Sequence, residues 1–370
     1  MKKILFLIHD LGRGGAERVL INLANNLDKN QYDITVMTLF DYGETRDLIQ
    51  PNIKYKSWCP LMYRGNSHLM KLLSPAVLHK LIIKEHYDIE VSYLEGPCAR
   101  VISGCQDDSV KLVSWIHTEL KSPKAGARSF RSIQEAKYCY GRFHRIVCVS
   151  QTVLEKFKEA FPINVPAVVL YNTNESKYII ESSAEHVSDT IFSENEIKII
   201  SAGKLVKNKG FDRLLRIGKE LLIKNYPIHI YILGEGPERE SLEKYITMNN
   251  MTKNVSLLGY QKNPYKYISK CDLYICSSHR EGFSTAATEA LILGIPVCTV
   301  QVSGMREMLG ENDDYGVIVP NTEKDLFTGI KVLLDNPEKL KHYKERACIR
   351  GKMFCKEETV EAVQKMFAEL

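Results

Sequence analysis

The chain has 370 residues, of which 44% are hydrophobic, 26% charged and 9% aromatic. With a mean hydropathy of −0.21, that balance excludes a disordered chain, a collagen and a polytopic membrane protein, and the length suits two domains at roughly 150 residues each. The net charge of +5 is uneven, since residues 1–170 carry 23 Lys and Arg against 17 Asp and Glu, leaving 27 against 28 for the rest. A basic amino-terminal half fits an anionic partner surface, but the excess is too small to indicate nucleic acid, and none is expected.

Met1-Lys2-Lys3 followed by Ile4 to Ile8 imitates a signal peptide. The apolar run is shorter than the roughly 7–15 residues such a segment needs and ends in His9-Asp10, so it reads as a first strand. No stretch approaches the ~18 uninterrupted apolar residues of a membrane span. The ten cysteines show no CxxC pair and no metal-ligand rhythm, and those at 148, 276 and 298 lie inside apolar strand patterns. Reduced thiols, a cytoplasmic setting and no metal are expected.

In chain order, short β-branched runs alternate with amphipathic helical patterns, the signature of parallel α/β architecture. The first half predicts strands over 3–9, 32–40, 53–58, 89–94, 112–117, 145–150 and 167–171. The pattern restarts with 198–205, 229–234, 255–260, 273–278, 296–300 and 315–319. Two sheets imply two doubly wound, Rossmann-like domains, at 1–174 and 197–350. Residues 175–196 are polar and poor in periodicity, and read as a linker. Helical stretches follow over 323–334 and 337–369, and the closing segment 351–370 is long enough to pack back on the first domain. Ligands of open α/β sheets bind at the carboxyl ends of the strands, so two such domains predict a central cleft lined by the loops after the strands.

Those loops hold the candidate residues. After the first strand, Gly12-Arg13-Gly14-Gly15-Ala16-Glu17-Arg18 runs into a helix and exposes backbone amides to an anion. Glu17 stands where a dinucleotide fingerprint needs its third glycine, which weakens a cofactor reading; a turn that needs glycine only for geometry is the plain alternative. The fifth strand ends in Trp115-Ile116-His117-Thr118, placing an imidazole at the rim, although a lone histidine is more often structural. Lys204 and Lys209 flank a strand end and a helix start, suited to a phosphate or diphosphate unless they are ordinary solvated lysines.

The sharpest signal is Ser277-Ser278-His279-Arg280-Glu281-Gly282-Phe283-Ser284-Thr285-Ala286-Ala287-Thr288-Glu289-Ala290. A strand runs into a glycine-containing turn and then a helix, with Glu281 in the turn and Glu289 a turn or more into the helix. Amides of Gly282, Phe283, Ser284 and Thr285 would sit at the helix start, and carboxylates accept hydrogen bonds from sugar hydroxyls. Together these describe a pocket for a nucleotide that carries a sugar.

With GGAERVLINLANNL, AGKLVKNKGFDRLL, ILGEGPERESLE, VSLLGY and EGFSTAATEALILGIPV in order across nearly the whole chain, the sequence resembles the GT-B glycosyltransferases of family four (group 1), especially the bacterial capsule and exopolysaccharide type. The resemblance implies a retaining, metal-independent transfer of a hexose from a nucleotide-sugar, with a UDP-sugar expected. The acceptor it implies is a lipid-linked saccharide in bacterial surface polysaccharide synthesis, with no cofactor. By the same resemblance, Gly14 and Gly15 approach the donor phosphates and His117 lies near the sugar and the reaction centre. Lys204 and Lys209 hold the diphosphate, Glu281 contacts sugar hydroxyls, and Gly282 and Phe283 to Thr285 lend amides. Glu289 takes the ribose, and Leu258 to Tyr260 flank the base. Two departures stand out: Lys204, where many relatives have the planar fork of Arg, and the Ser284-Thr285 pair, found in only part of the family.

Residues 121–145 carry Lys121, Lys124, Arg128, Arg131, Lys137, Arg142 and Arg145 against Glu135 alone, interleaved with Phe130, Tyr138, Tyr140 and Phe143. Residues 58–84 combine Trp58, Leu61, Met62, Leu69, Met70 and Leu72 with Arg64, Lys71, Lys80 and Lys84. Such mixtures suit an anionic membrane surface or a lipid-linked diphosphate, with a solvated helix face as the alternative, and imply a cytoplasmic protein peripheral to the inner face of the plasma membrane. The competing functions are a nucleotide-sugar epimerase of the same fold, a dinucleotide oxidoreductase and a non-catalytic two-domain solute-binding protein.

Overall fold

The computed structural model describes residues 1–12, 14–61 and 69–370. The first parallel sheet is built from β1 (Lys2–Ile8), β2 (Tyr32–Phe40), β3 (Lys54–Cys59), β4 (Ile89–Ser92), β5 (Lys111–Ile116), β6 (Arg145–Cys148) and β7 (Ala167–Val169), in the order β3-β2-β1-β4-β5-β6-β7. The second holds β8 (Ile197–Ala202), β9 (Ile228–Leu233), β10 (Val255–Gly259), β11 (Leu273–Cys276), β12 (Val297–Val300) and β13 (Val317–Val319), ordered β10-β9-β8-β11-β12-β13. Ile4 to Ile8 of β1 and the whole of β4 and β11 are buried, the continuous apolar runs that strands show when helices cover both faces of a sheet. Several strands end sooner than their sequence patterns suggest, because the last apolar-looking residues already serve the next element. Ser150, for example, accepts from Val153 N at 3.2 Å and caps the helix Gln151–Ala160.

In each sheet the winding direction reverses between two neighbouring strands, β1 and β4 in the first and β8 and β11 in the second. Adjacent loops diverge there to opposite faces and leave a crevice at the carboxyl ends.

The chain divides into two compact units, Met1–Thr173 with Lys356–Leu370, and Asn174–Cys355. The terminal helix Lys356–Ala368 is anchored in the first unit by Phe367, whose ring lies 6.2 Å from Phe6 and 6.1 Å from Tyr32. Asp28 N also donates to Gln364 Oε1 at 2.9 Å. The helical pattern over 337–369 is interrupted: Pro337–Gly351 stays with the second unit and a 3-10 turn, Lys352–Phe354, follows it.

Residues 175–196 are more than a linker. They contain the helix Ser176–Ser183 with Ile179 and Ser182 buried, and they belong to the second unit. Asn263 Nδ2 donates to Ser182 O at 2.8 Å, and Tyr267 OH donates to Asp189 Oδ2 at 2.7 Å. Eight mostly polar residues are too few to display a helical period, and partners some 80 residues downstream supply the order. No helix among the described residues is long and apolar enough to cross a membrane.

Candidate functional site

The loops after β8 and β11 meet at the reversal point of the second sheet. Gly210 has φ 65°, and a Cβ there would lie 2.1 Å from Ser277 O, so only glycine lets the two loops approach. The approach is fastened on both sides: Ser277 Oγ donates to Lys209 O at 3.0 Å, and His279 N donates to Asn208 O at 2.8 Å. Across it, Lys209 Nζ donates to Glu281 Oε1 at 2.7 Å, and Ser278 Oγ donates to the same oxygen at 2.5 Å. The Glu281 side chain is 9% exposed and that of Lys209 28%. Burial opposes the lysine's charge, but the field of Glu281 and the hydrogen bond to it outweigh burial and raise the Lys209 pKa above its ordinary value.

Behind this pair lies a residue that sequence reading missed. Arg213, 2% exposed, sits in the first turns of the helix Phe211–Ile223. Its Nε donates to Ser277 O at 2.5 Å, Nη2 to Ser278 O at 2.8 Å and Nη1 to Asn321 Oδ1 at 2.9 Å. Asn321 Nδ2 in turn donates to His279 O at 3.1 Å. The guanidinium thus braces the backbone that carries Glu281, and burial pushes its pKa below the usual arginine value. The available signal was a cation beside Leu214 and Leu215, inside an apolar helix stripe.

Glu281 leads through the half-buried Gly282 into the helix Thr285–Ile292. Ser284 caps it, accepting from Ala287 N at 3.4 Å, and Thr285 is its first residue, so the amides that open the helix follow closely on Glu281. Phe283 is buried and packs edge-on to Phe354 at 5.9 Å, so its side chain serves the core. Glu289 Oε1 accepts from Tyr265 OH at 3.1 Å. Leu258 lies where β10 slips register against β9, a bulge of the sort that re-aims side chains, and Tyr260 beyond it is exposed. Lys204 is exposed in the loop after β8 and forms no ion pair among the described residues. The structure therefore joins Lys209, Glu281 and the stretch from Gly282 to Thr285, and leaves Lys204 outside their hydrogen-bond network.

In the first unit, Gly14 precedes the helix Gly15–Asn26 with no side-chain cap, and a Cβ on it would lie 2.1 Å from Glu17 Oε2. A carboxylate already occupies the positive end of this helix, so a phosphate approaching Gly14 and Gly15 meets Glu17 first. Arg13 lies outside the described residues, as do Met62 and Arg64 of the 58–84 stretch.

His117 follows β5 and is 8% exposed. Its backbone N donates to Glu95 Oε2 at 3.0 Å, and Thr118 Oγ1 donates to Glu95 Oε1. The imidazole packs on the Tyr93 ring at 4.9 Å and bonds the Tyr93 backbone, leaving Nε2 buried without a partner. Burial pushes the His117 pKa down to about 3, so near neutrality the ring is uncharged and Nε2 is a hydrogen-bond acceptor. Glu95, which ties the end of β4 to that of β5, carried no sequence signal. Among the described residues one group brings three metal-ligand atoms within 4.8 Å, His79, Glu90 and Cys105, and none of the expected site residues belongs to it.

Comparison with known proteins fits this architecture. The family described as Glycosyltransferase Family 4 matches residues 13–173, and the family described as Glycosyl transferases group 1 matches residues 182–349. The chain is 28% identical over 375 residues, 96% of each chain, to the N-acetylgalactosamine-N,N'-diacetylbacillosaminyl-diphospho-undecaprenol 4-alpha-N-acetylgalactosaminyltransferase of Campylobacter jejuni. It is 22% identical over 337 residues, 89% of this chain and 88% of the other, to the lipopolysaccharide core biosynthesis glycosyltransferase LpsD of Rhizobium meliloti. The crystal structure of Anabaena Alr3699/HepE in complex with UDP and glucose shares the fold, with a TM-score of 0.78 over 100% of both chains at 19% identity. With two Rossmann-like parallel sheets and family matches running almost end to end, the chain belongs to the GT-B glycosyltransferases of family 4, group 1, and is a sugar-transferring enzyme.

Proposed function

We propose that this enzyme moves a hexose from a UDP-sugar, with retention and without a metal, onto a saccharide carried by a lipid diphosphate. The setting is bacterial surface polysaccharide synthesis at the inner face of the membrane. The observation that carries the proposal is the Lys209–Glu281 pair, held at 2.7 Å beside the amino end of the helix Thr285–Ile292. A cation and helix-end amides suit a leaving diphosphate, and a carboxylate beside them suits sugar hydroxyls.

In this reading Lys209 and the amides of Phe283 to Thr285 stabilise charge that grows on the diphosphate as the bond from the anomeric carbon to the phosphate oxygen breaks. Lys204, free of ion pairs among the described residues, adds a second cation. The bond from the acceptor oxygen to the anomeric carbon forms on the same face, and the departing phosphate takes the acceptor proton. Glu281 is a binder, because Lys209 and Ser278 already occupy one of its oxygens and hold it in place. His117, kept neutral, offers Nε2 to a substrate hydroxyl, Glu289 receives the ribose in competition with Tyr265, and Leu258 and Tyr260 flank the base. Gly14 and Gly15 approach the phosphates once Glu17 has swung aside. The Campylobacter relative, whose name specifies a diphospho-undecaprenol-linked substrate, supports the lipid diphosphate, and the Rhizobium relative supports a cell-surface glycan.

The test is a panel of labelled nucleotide sugars incubated with the pure protein and a lipid-diphosphate acceptor mimic. Acceptor-dependent release of UDP with label in the acceptor is expected. Turnover of another nucleotide sugar in place of the UDP-sugar, or label passing to a lipid-free saccharide and none to the lipid-diphosphate mimic, would overturn the proposed donor or acceptor.

A further inference from the structure

Two arginines of the first unit hold the carbonyls of four consecutive residues. Arg100, 1% exposed, donates to Met70 O at 2.8 Å and Leu73 O at 2.7 Å, and pairs with Glu135 at 3.0 Å. Arg131 donates to Lys71 O at 2.5 Å and to Leu72 O at 2.8 Å. The pinned backbone turns Met70 into the core at 6% exposure and leaves Leu69, Leu72 and Leu73 54%, 75% and 37% exposed. Val77 and Leu81 of the next helix, Pro75–Ile82, are exposed as well. Leucines held in water next to one another form a patch that calls for an apolar partner.

Beside this patch lies a cavity of about 710 Å³ lined by Lys71, Lys124, Arg128 and Arg131, with the hydroxyls of Ser122 and Ser129. Arg131 is already paired with Glu135 at 3.9 Å, whereas among the described residues Lys71, Lys124 and Arg128 form no ion pair and no carboxylate lines the cavity. A concentrated positive charge within a pocket of ligand size selects a multiply charged anion, and the pinned leucines at its edge select one with a hydrocarbon tail.

We propose that this cavity binds the diphosphate of an isoprenoid-diphosphate acceptor, with the leucines around Leu72 receiving the first isoprene units. The inference rests on the lipid-diphosphate acceptor proposed above and assigns residues to it. A diphosphate fills only part of the volume, so the remainder admits the first sugar. Inorganic pyrophosphate would engage the cations and leave the leucines unused, whereas farnesol would do the reverse.

Calorimetric titration of the full chain, saturated with UDP to occupy the donor site, tests this with farnesyl diphosphate, pyrophosphate, farnesol and phosphatidylglycerol vesicles as probes. Farnesyl diphosphate should bind at least about tenfold more tightly than pyrophosphate, and the double variant Lys124→Glu with Arg128→Glu should lose about tenfold or more of that affinity while keeping UDP binding. Leu72→Asp should reduce farnesyl diphosphate to the affinity of pyrophosphate. These three substitutions alter exposed side chains and leave the core intact. An unchanged affinity after the charge reversal, farnesol binding as well as its diphosphate, or a response to the vesicles alone would overturn the proposal, the last marking a membrane surface in its place. Lys209→Ala separates the two readings, since it should weaken UDP and spare farnesyl diphosphate. UDP binding indifferent to Lys209→Ala would remove the donor reading and leave the lipid result standing.

Discussion

Lys209 and Glu281, 72 positions apart in the chain, meet at 2.7 Å because β8 and β11 are neighbours in the second sheet. The carboxylate holds the lysine charged in a mostly buried place, and the pair presents a cation and an anion to one small volume. That suits a ligand that is itself divided into an anionic diphosphate and a neutral, hydroxyl-rich sugar.

Substitutions at the pair should separate chemistry from nucleotide affinity. Glu281→Gln keeps the shape and should lower kcat by about 100-fold, with the UDP Kd unchanged within about threefold. Lys209→Ala should lower both, and should also destabilise the second unit by about 3 kcal/mol, because it strands a buried carboxylate. Steady-state kinetics, calorimetry and urea unfolding report the three effects; equal losses of turnover and UDP affinity in Glu281→Gln would remove its sugar-binding role.

Arg213 acts through the loop it braces. A lysine there can reach only one of the three oxygens the guanidinium holds, so Arg213→Lys should cost about 2 kcal/mol in urea unfolding and raise the donor KM. Asn321→Ala, which removes a single partner of the same brace, should do the same to a smaller extent, about 1 kcal/mol. Unchanged donor KM in both variants would reduce Arg213 to a core residue.

Part of this site was legible in the sequence and part was not. The strands show as β-branched runs, and glycine turns such as Glu281-Gly282 mark where loops begin, because turn chemistry is local. The adjacency of β8 and β11 is not local, so nothing in the residues themselves brings Lys209 to Glu281 or aims Arg213 at Ser277. Gly14 and Gly15 read as an amide cradle from their spacing, while the approach of the Glu17 carboxylate to the same helix end shows only in three dimensions. Lys204 and Lys209 look alike in sequence, yet one is exposed and the other mostly buried in an ion pair, a distinction that packing makes.

His117 should destabilise the fold in acid. Its folded pKa of about 3 lies below its ordinary 6.5, so its contribution is complete above pH 6.5 and is lost as pH falls from there toward 3, by up to about 1.4 kcal/mol per pH unit. His117→Asn should flatten that acid limb in thermal unfolding recorded from pH 7 to pH 4, and an unaltered slope would contradict a buried neutral ring.

His79 should behave in the opposite sense. Burial alone would lower its pKa, but hydrogen bonds with Cys105 and with Glu90, the latter at 2.8 Å, carry it up to about 9. Its contribution is therefore full below pH 6.5 and lost as pH rises through 9. His79→Gln should lower stability at pH 6 more than at pH 10, a difference that urea unfolding at the two values resolves.

A crystal structure with UDP bound tests the central claim most directly. The diphosphate should lie within hydrogen-bond distance of Lys209 Nζ and of the amides opening the helix Thr285–Ile292, with Glu281 left facing the position of the sugar. A diphosphate seated elsewhere, with the Lys209–Glu281 pair intact and remote from it, would contradict the account.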